Sequence, residues 1–265
     1  MTALLELNAL SGGYEPVQIF KDVSLTMQPG EAIGLFGPNG HGKTTLLRTV
    51  SGLIDPWSGD VIFEGERLNR PGARAARRSR NLNYDLLTRR RMDPKRVARA
   101  GLIHVQQGNL LFPEMTVAET LSIAPAATGS RGDPRALTDE ALTLFPRLTE
   151  RLDSKCRFLS GGERQMLSVA CGLIAAPRLL ILDEPTLGLS PKLRQELAAA
   201  IRAVRAKGVP LIVVDQDVEF LESLIDTLYL FDHGRISGRM AKEEMPSHAE
   251  IMRMLFGDAA AEAPA

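Results

Sequence analysis

The chain has 265 residues, with 32 Lys plus Arg set against 32 Asp plus Glu and 44% hydrophobic residues. That length holds one large α/β domain or two small ones around an ordinary core, and a zero formal charge argues against a globally basic nucleic-acid binder. Its two cysteines, Cys156 and Cys171, have no paired spacing and no histidine beside them in sequence, which fits a reducing compartment and predicts no metal site.

The opening "MTALLELNAL" carries Glu6 early and lacks a basic start, so no secretory signal is expected. "LLELNALSGGY" and "VQIFKDVSLTM" read as strands with a Gly turn between them. "EAIGLF" is a strand running into a glycine-rich loop, "KTTLLRTVSG" a helix with Gly52 near its end, and "GDVIFEGERL" a returning strand. From Arg67 to Arg99 the composition shifts: twelve Arg or Lys are opposed only by Asp85 and Asp93. Three readings compete for this segment: a solvated loop, a patch for anionic lipid headgroups, or a docking arm for an acidic partner. Tyr84 is its only aromatic residue, too few for a nucleic-acid stacking platform.

"GLIHV" is the next strand, and helical patterns dominate from Thr116 to Ala175, broken by the loop "APAATGSRGDP". "RLLILD" and "PLIVV" are apolar strands of the buried, parallel kind. Between them a helix starts at Pro191 and stops at Gly208. "LYLF" and "GRISG" form a late strand pair, "HAEIMRMLFG" an amphipathic helix, and "DAAAEAPA" a frayed tail. No apolar run is long enough to span a bilayer. A soluble chain is therefore expected, with any membrane link made through a partner.

The strongest local signal is "GPNGHGKT": Gly37, Pro38, Asn39, Gly40, His41, Gly42, Lys43 and Thr44, set between a strand and a helix. Glycines let backbone N–H groups approach phosphate oxygens, and the helix N-terminus favours an anion. Lys43 can reach the β- and γ-phosphates of ATP, Thr44 can ligate Mg²⁺, and Thr45 adds a phosphate contact. "LLILDEP" delivers Asp183 and Glu184 at a strand end, the first a second anchor for Mg²⁺, the second a general base for an attacking water. "LSGGERQML" opens a helix: Ser160 and Glu163 form a capping box, and Ser160, Gly161 and Gly162 at a helix start also suit an anion. Leu211 to Val214 runs straight into Asp215-Gln216-Asp217, beyond the strand's carboxyl end, where open α/β sheets meet ligands.

With these three motifs the chain resembles the ATP-binding subunits of ABC transporters, over nearly its whole length apart from the basic segment and the tail. The resemblance implies an α/β fold: a P-loop NTPase (RecA-like) core with an antiparallel β subdomain and an inserted α-helical signature subdomain. Residues 1–113 and 176–232 would form the core, with 67–99 as a basic insertion. Residues 114–175 would form the helical subdomain, and 233–265 a C-terminal hairpin, helix and tail. It implies ATP hydrolysis, a head-to-tail dimer with ATP at the interface, and Ser160 to Glu163 facing the γ-phosphate held by the other subunit. Tyr14 stands where the family stacks an aromatic on adenine. Gln107, with Gln106 adjacent, lies at the loop linking Mg²⁺ and water to the membrane partner. "TLGLSP" ends in Ser190 where the family usually has Asp, and Gln216 stands where most members have His.

These departures, with "FPEMTVAETL" and "LFPRLTER", resemble the importers of branched-chain amino acids, urea or short amides, and one of the two ATPase types that serve them. A second, different ATPase subunit, transmembrane permease subunits and an external substrate-binding protein are the implied partners, with the chain peripheral on the cytoplasmic face of the membrane. An exporter subunit and a soluble, non-transport ABC ATPase are the alternatives. None of the four histidines replaces Gln216: His41 occupies a free position of the loop, His104 a strand, His233 the turn "DHGR" and His248 the last helix region. All four read as structural or exposed.

Overall fold

The computed structural model describes residues 2–71, 90–108, 110–128, 132–246, 250–251 and 253. Its strands are β1 (Leu5–Tyr14), β2 (Val17–Met27), β3 (Ala32–Phe36), β4 (Ser58–Phe63), β5 (Glu66–Arg67), β6 (Arg70–Pro71), β7 (Arg90–Arg91), β8 (Leu102–Val105), β9 (Leu179–Asp183), β10 (Leu211–Val214), β11 (Thr227–Asp232) and β12 (Arg235–Ala241). Its helices are α1 (Lys43–Val50), α2 (Pro94–Ala100), α3 (Val117–Thr128), α4 (Pro134–Leu144), α5 (Pro146–Thr149), α6 (Gly161–Ile174), α7 (Pro191–Ala206) and α8 (Val218–Glu222).

Five strands pair in parallel to form the centre of a six-stranded sheet, ordered β12-β11-β3-β10-β9-β8, with β12 antiparallel at one edge. Successive side chains on a strand face opposite ways, and here both faces are buried. Phe36, Leu180, Leu182, Leu211 and Val213 join the core beneath the helices. Ile33, Leu35, Leu179, Ile181, Ile212 and Val214 join a second core with α1 and the four-stranded antiparallel sheet β2-β1-β4-β5. Two-sided burial is why these strands read as unbroken apolar runs. The expected α/β class with an antiparallel β layer and a separate run of helices, α3 to α6, is the observed one.

Four local expectations change. Gly12 and Gly13 lie inside β1, at register shifts against β2, and the turn falls at Glu15-Pro16. "GDVIFEGERL" is a hairpin: β4 and β5 pair across Glu64 and Gly65, whose φ values of 50° and 77° suit a two-residue turn. Helix α3 continues to Thr128 with Pro125 inside it, where a loop was expected. The end of the basic segment is folded: Asp93 caps α2 by accepting from the Lys95 N–H at 3.0 Å, Met92 and Val97 are buried, and Arg96 bonds to the Leu68 carbonyl and to Glu66. Apolar residues spaced among the charges pin that stretch, and composition alone hides them. The stretch 72–89 of the basic segment lies outside the described residues, as does most of the terminal helix; Ile251 is helical and buried.

Helix α6 leans closely on the sheet. A Cβ added at Gly172 would lie 2.6 Å from Val105 Cγ2 and 3.2 Å from Leu180 Cδ1, so only glycine lets the helix sit there. No helix among the described residues is long and apolar enough to cross a membrane.

Candidate active site

The site is built at the carboxyl ends of β3, β9 and β10, which lie side by side. From β3 the chain enters the loop Gly37–Gly42 and then α1. Gly42 precedes the helix with φ 101°, a left-handed conformation that glycine adopts without cost. Lys43 is buried, and its Nζ donates to the carbonyls of Gly37 at 2.6 Å and Pro38 at 2.8 Å, curling the loop around its own cation. Burial holds the Lys43 pKa below its usual value, opposed by the charges of Glu184 and Asp183.

Thr44 is the second residue of α1, and its Oγ1 donates to Asp183 Oδ1 at 3.2 Å. Asp183 ends β9, opposite Val214 of β10. It is 1% exposed, and its Oδ2 is sealed with no partner. Burial chiefly, then the charge of Glu184, pushes its pKa up to about 6, against the pull of the Thr44 hydrogen bond. An orphaned buried carboxylate oxygen beside a hydroxyl is a hard-oxygen donor set, the kind that suits Mg²⁺.

Glu184 follows with φ 48°, left-handed and uncommon outside glycine. Its N–H donates to the Val214 carbonyl at 2.8 Å, so the backbone is held while the side chain points out of the strand line. Two amides then grip the carboxylate: Gln107 Nε2 donates to Oε2 at 2.7 Å and Gln216 Nε2 to Oε1 at 3.2 Å. Gln107 comes from the loop after β8 and Gln216 from the loop after β10. Gln107 is the loop residue that reaches Glu184, whereas Gln106 lines a separate cavity of about 280 Å³ with Ile103, His104 and Val105.

Asp215, 3% exposed, locks the Gln216 loop. It accepts from the N–H groups of Gln216 at 2.8 Å and Asp217 at 3.0 Å, and from the Thr186 hydroxyl at 2.8 Å. Burial raises its pKa, against those donors. Arg194 pairs with Asp217 at 3.1 Å and fastens the same loop to α7. The sequence reading placed Gln216 correctly at a strand end but did not foresee its bond to Glu184. The left-handed backbone of Glu184 has no signature in residue type at all.

Tyr14 is 46% exposed at the end of β1, and Arg48 of α1 donates to its hydroxyl at 3.2 Å. That bond holds the ring beside α1, the helix that carries Thr44 and Thr45 in its first turn. Ser160 caps α6: its Oγ accepts from the Glu163 N–H at 3.2 Å while Glu163 Oε2 accepts from the Ser160 N–H at 2.7 Å, the reciprocal box expected. Ser160 and Gly161 are exposed and Gly162 is buried. Among the described residues no hydrogen bond joins this segment to Gly37–Thr45.

Strand, glycine-rich loop, helix and acidic strand end together define a P-loop nucleotide-binding ATPase. Residues 20–187 match the family described as ABC transporter. The high-affinity branched-chain amino acid transport ATP-binding protein BraG of Pseudomonas aeruginosa is 34% identical, over 88% of this chain and 91% of that protein. The probable branched-chain amino acid transport ATP-binding protein LivF of Archaeoglobus fulgidus is 29% identical, over 96% and 99%. Other relatives are named for other cargoes, among them glutamine, arabinose, ribose and Nod factor. A solved ATP-binding subunit of an ABC transporter superposes with a TM-score of 0.73 at 27% identity, over 95% of this chain and 92% of that one. The chain belongs to the ATP-binding subunits of the ABC transporter family, ATPases that power transport.

Proposed function

We propose that this chain is one of two ATPase subunits of an importer for branched-chain amino acids or for related amino acids, urea or short amides, with Glu184 as the base of hydrolysis. The observation that carries the chemistry is the grip of Gln107 and Gln216 on the two oxygens of Glu184, next to Asp183 and Thr44. The names of BraG and LivF, with Gln at the position after Asp215, support the cargo class.

Backbone N–H groups of Gly37–Gly42 and the start of α1 cradle the phosphates, and Lys43 supplies the cation for their β- and γ-oxygens. Tyr14 offers its ring to adenine, a contact worth about 1 kcal/mol. Thr44, Asp183 and Gln107 would hold Mg²⁺, which when bound neutralises charge developing on the phosphates. Glu184 takes the proton of the attacking water, and its two amide donors fix which lone pair faces that water. Gln216 orients but never ionises. Ser160 to Glu163 of this chain serves the ATP of the partner subunit. Residues 114–175, as a helical subdomain, and Gln107 pass closure on to the permease subunits, with an external binding protein completing the system.

Glu184→Gln tests the base. Turnover falls by about 10²–10⁴-fold, the usual worth of a general base, while ATP drives a dimer that persists on gel filtration. Residual wild-type turnover overturns the assignment. Deleting the gene in its host and measuring uptake of labelled leucine, isoleucine, valine, urea and short amides tests the cargo; unimpaired uptake of all of them refutes it.

A further inference from the structure

Two of the histidines meet in space. His41 of the phosphate loop and His233 of the β11–β12 turn are 192 positions apart in sequence, yet their ring centroids stand 4.4 Å apart. Asp232, the last residue of β11, lies between them: its Oδ1 is 2.9 Å from His41 Nδ1 and 2.8 Å from His233 Nδ1. One donor atom from each of the three residues falls within a common span of 4.8 Å.

The protons in this cluster do not balance. The His233 backbone N–H also points at His41 Nδ1, 3.2 Å away. If Nδ1 carries a proton, it serves Asp232 but faces the His233 N–H donor to donor. If Nδ1 is bare, it accepts from His233 but sets a lone pair against a carboxylate oxygen. Neither tautomer satisfies both neighbours. A cation at the meeting point of the two Nδ1 atoms and Oδ1 removes the clash with Asp232, and water can serve the exposed turn N–H that His41 gives up.

We propose that His41, Asp232 and His233 bind one divalent transition-metal ion of the zinc class. Two imidazoles and a carboxylate form an N/O donor set that suits zinc, nickel, copper or ferrous iron better than magnesium or calcium. Ligand bonds of about 2.0–2.2 Å in a tetrahedral site put donor atoms roughly 3.3 Å apart. The two Asp232 contacts, at 2.8 and 2.9 Å, need only a small opening to admit the ion, and the three donors already lie within 4.8 Å of one another. His233 is 82% exposed, which leaves an entry path and room for water as a fourth ligand. The ion is thereby kept distinct from the Thr44 and Asp183 oxygens, whose hardness selects the other kind of cation. Its effect is to tie the phosphate loop to the β11–β12 turn. This proposal does not depend on the cargo or on Glu184 as the base.

The test uses the full-length, nucleotide-free protein with any histidine tag removed, titrated with Zn²⁺ by calorimetry and with Co²⁺ by visible absorbance. The wild type binds one equivalent, and its Co²⁺ spectrum shows nitrogen and oxygen ligands without a thiolate charge-transfer band. Asp232→Asn and His233→Gln each weaken binding by at least the roughly 10–100-fold that disturbing even an outer contact costs. Zn²⁺ raises the melting temperature of the wild type and leaves that of His233→Gln unchanged. ATPase turnover of His233→Gln, measured with excess Mg²⁺ and a zinc-selective chelator, matches the wild type and shows that it is folded. Unaltered Zn²⁺ affinity in His233→Gln, a thiolate band, or no binding by the wild type overturns the site.

Discussion

Replacing His104 with glutamine changes the acid sensitivity of the fold by an amount that three contacts set. Ser51 Oγ donates to the Arg48 carbonyl at 3.2 Å, so it accepts from His104 Nδ1, 2.9 Å away. The ring proton therefore sits on Nδ1, and Nε2 is a bare acceptor, sealed and unpartnered. A second proton would have to go there, beside the Arg48 guanidinium. Burial first, and then the Arg48 charge, hold the His104 pKa down to about 4. In the unfolded chain it lies near 6.5, so between these values the unfolded state binds more protons. The resulting stability is complete above about pH 6.5 and drains away as pH falls toward 4. Integrated from about pH 7.5 to about pH 4.5, with allowance for the part-exposed ring, it comes to roughly 2 kcal/mol. Urea unfolding of the nucleotide-free wild type and His104→Gln at those two pH values reads it directly, because every other titrating group cancels in the difference. The deficit of the variant should shrink by roughly 2 kcal/mol at the acid end. Parallel pH profiles would refute the buried, unpartnered Nε2.

Gln216→His, assayed as single-site turnover in the assembled dimer, should raise the rate by about fivefold, as a charge-assisted donor gains about 1 kcal/mol over a neutral amide; an unchanged or lower rate counts against it. Asp183→Asn removes a carboxylate whose burial penalty is absent below its unfolded pKa of 3.8 and complete above about 6. In chelator at about pH 8 the nucleotide-free variant should melt higher than the wild type while losing Mg²⁺-dependent ATP binding, and equal melting temperatures would show that the charge carries no such penalty. Tyr14→Ala should weaken ATP binding about fivefold, the loss of one stacking contact; fluorescent-nucleotide titration measures it, and unchanged affinity removes Tyr14 from the adenine site.

What the sequence revealed follows how its signals are laid out. The loop Gly37–Gly42 with Lys43 and Thr44 is contiguous, and each residue type answers one demand of a phosphate, so the site could be read without a fold. Asp183 and Glu184 were legible because an apolar strand of fixed length delivers them. The bonds onto Glu184 were not, since Gln107 and Gln216 arrive from different strands and only the order β10-β9-β8 brings them near it. His41, Asp232 and His233 were hidden for the same reason: nothing local ties a free position of the loop to a turn 192 residues on. At the end of the basic segment the dense arginines outweighed Met92 and Val97, the two buried side chains that hold α2 in place.

Two glycines seat α6: Gly172 rests on the sheet, and Gly162 rests on α7, where an added Cβ would lie 2.4 Å from Leu193 Cδ1. The last turns of α6 rest against Val105, on the strand that leads to Gln107, while its first residue follows the exposed Ser160. Twelve residues of helix separate the two, a lever arm of about 18 Å. A tilt of about 10° pivoting at Gly172 would carry Ser160 some 3 Å, roughly the length of one hydrogen bond. A small adjustment at the sheet is therefore magnified at the helix tip, and α7, which meets Gly162 through Leu193, has to yield with it.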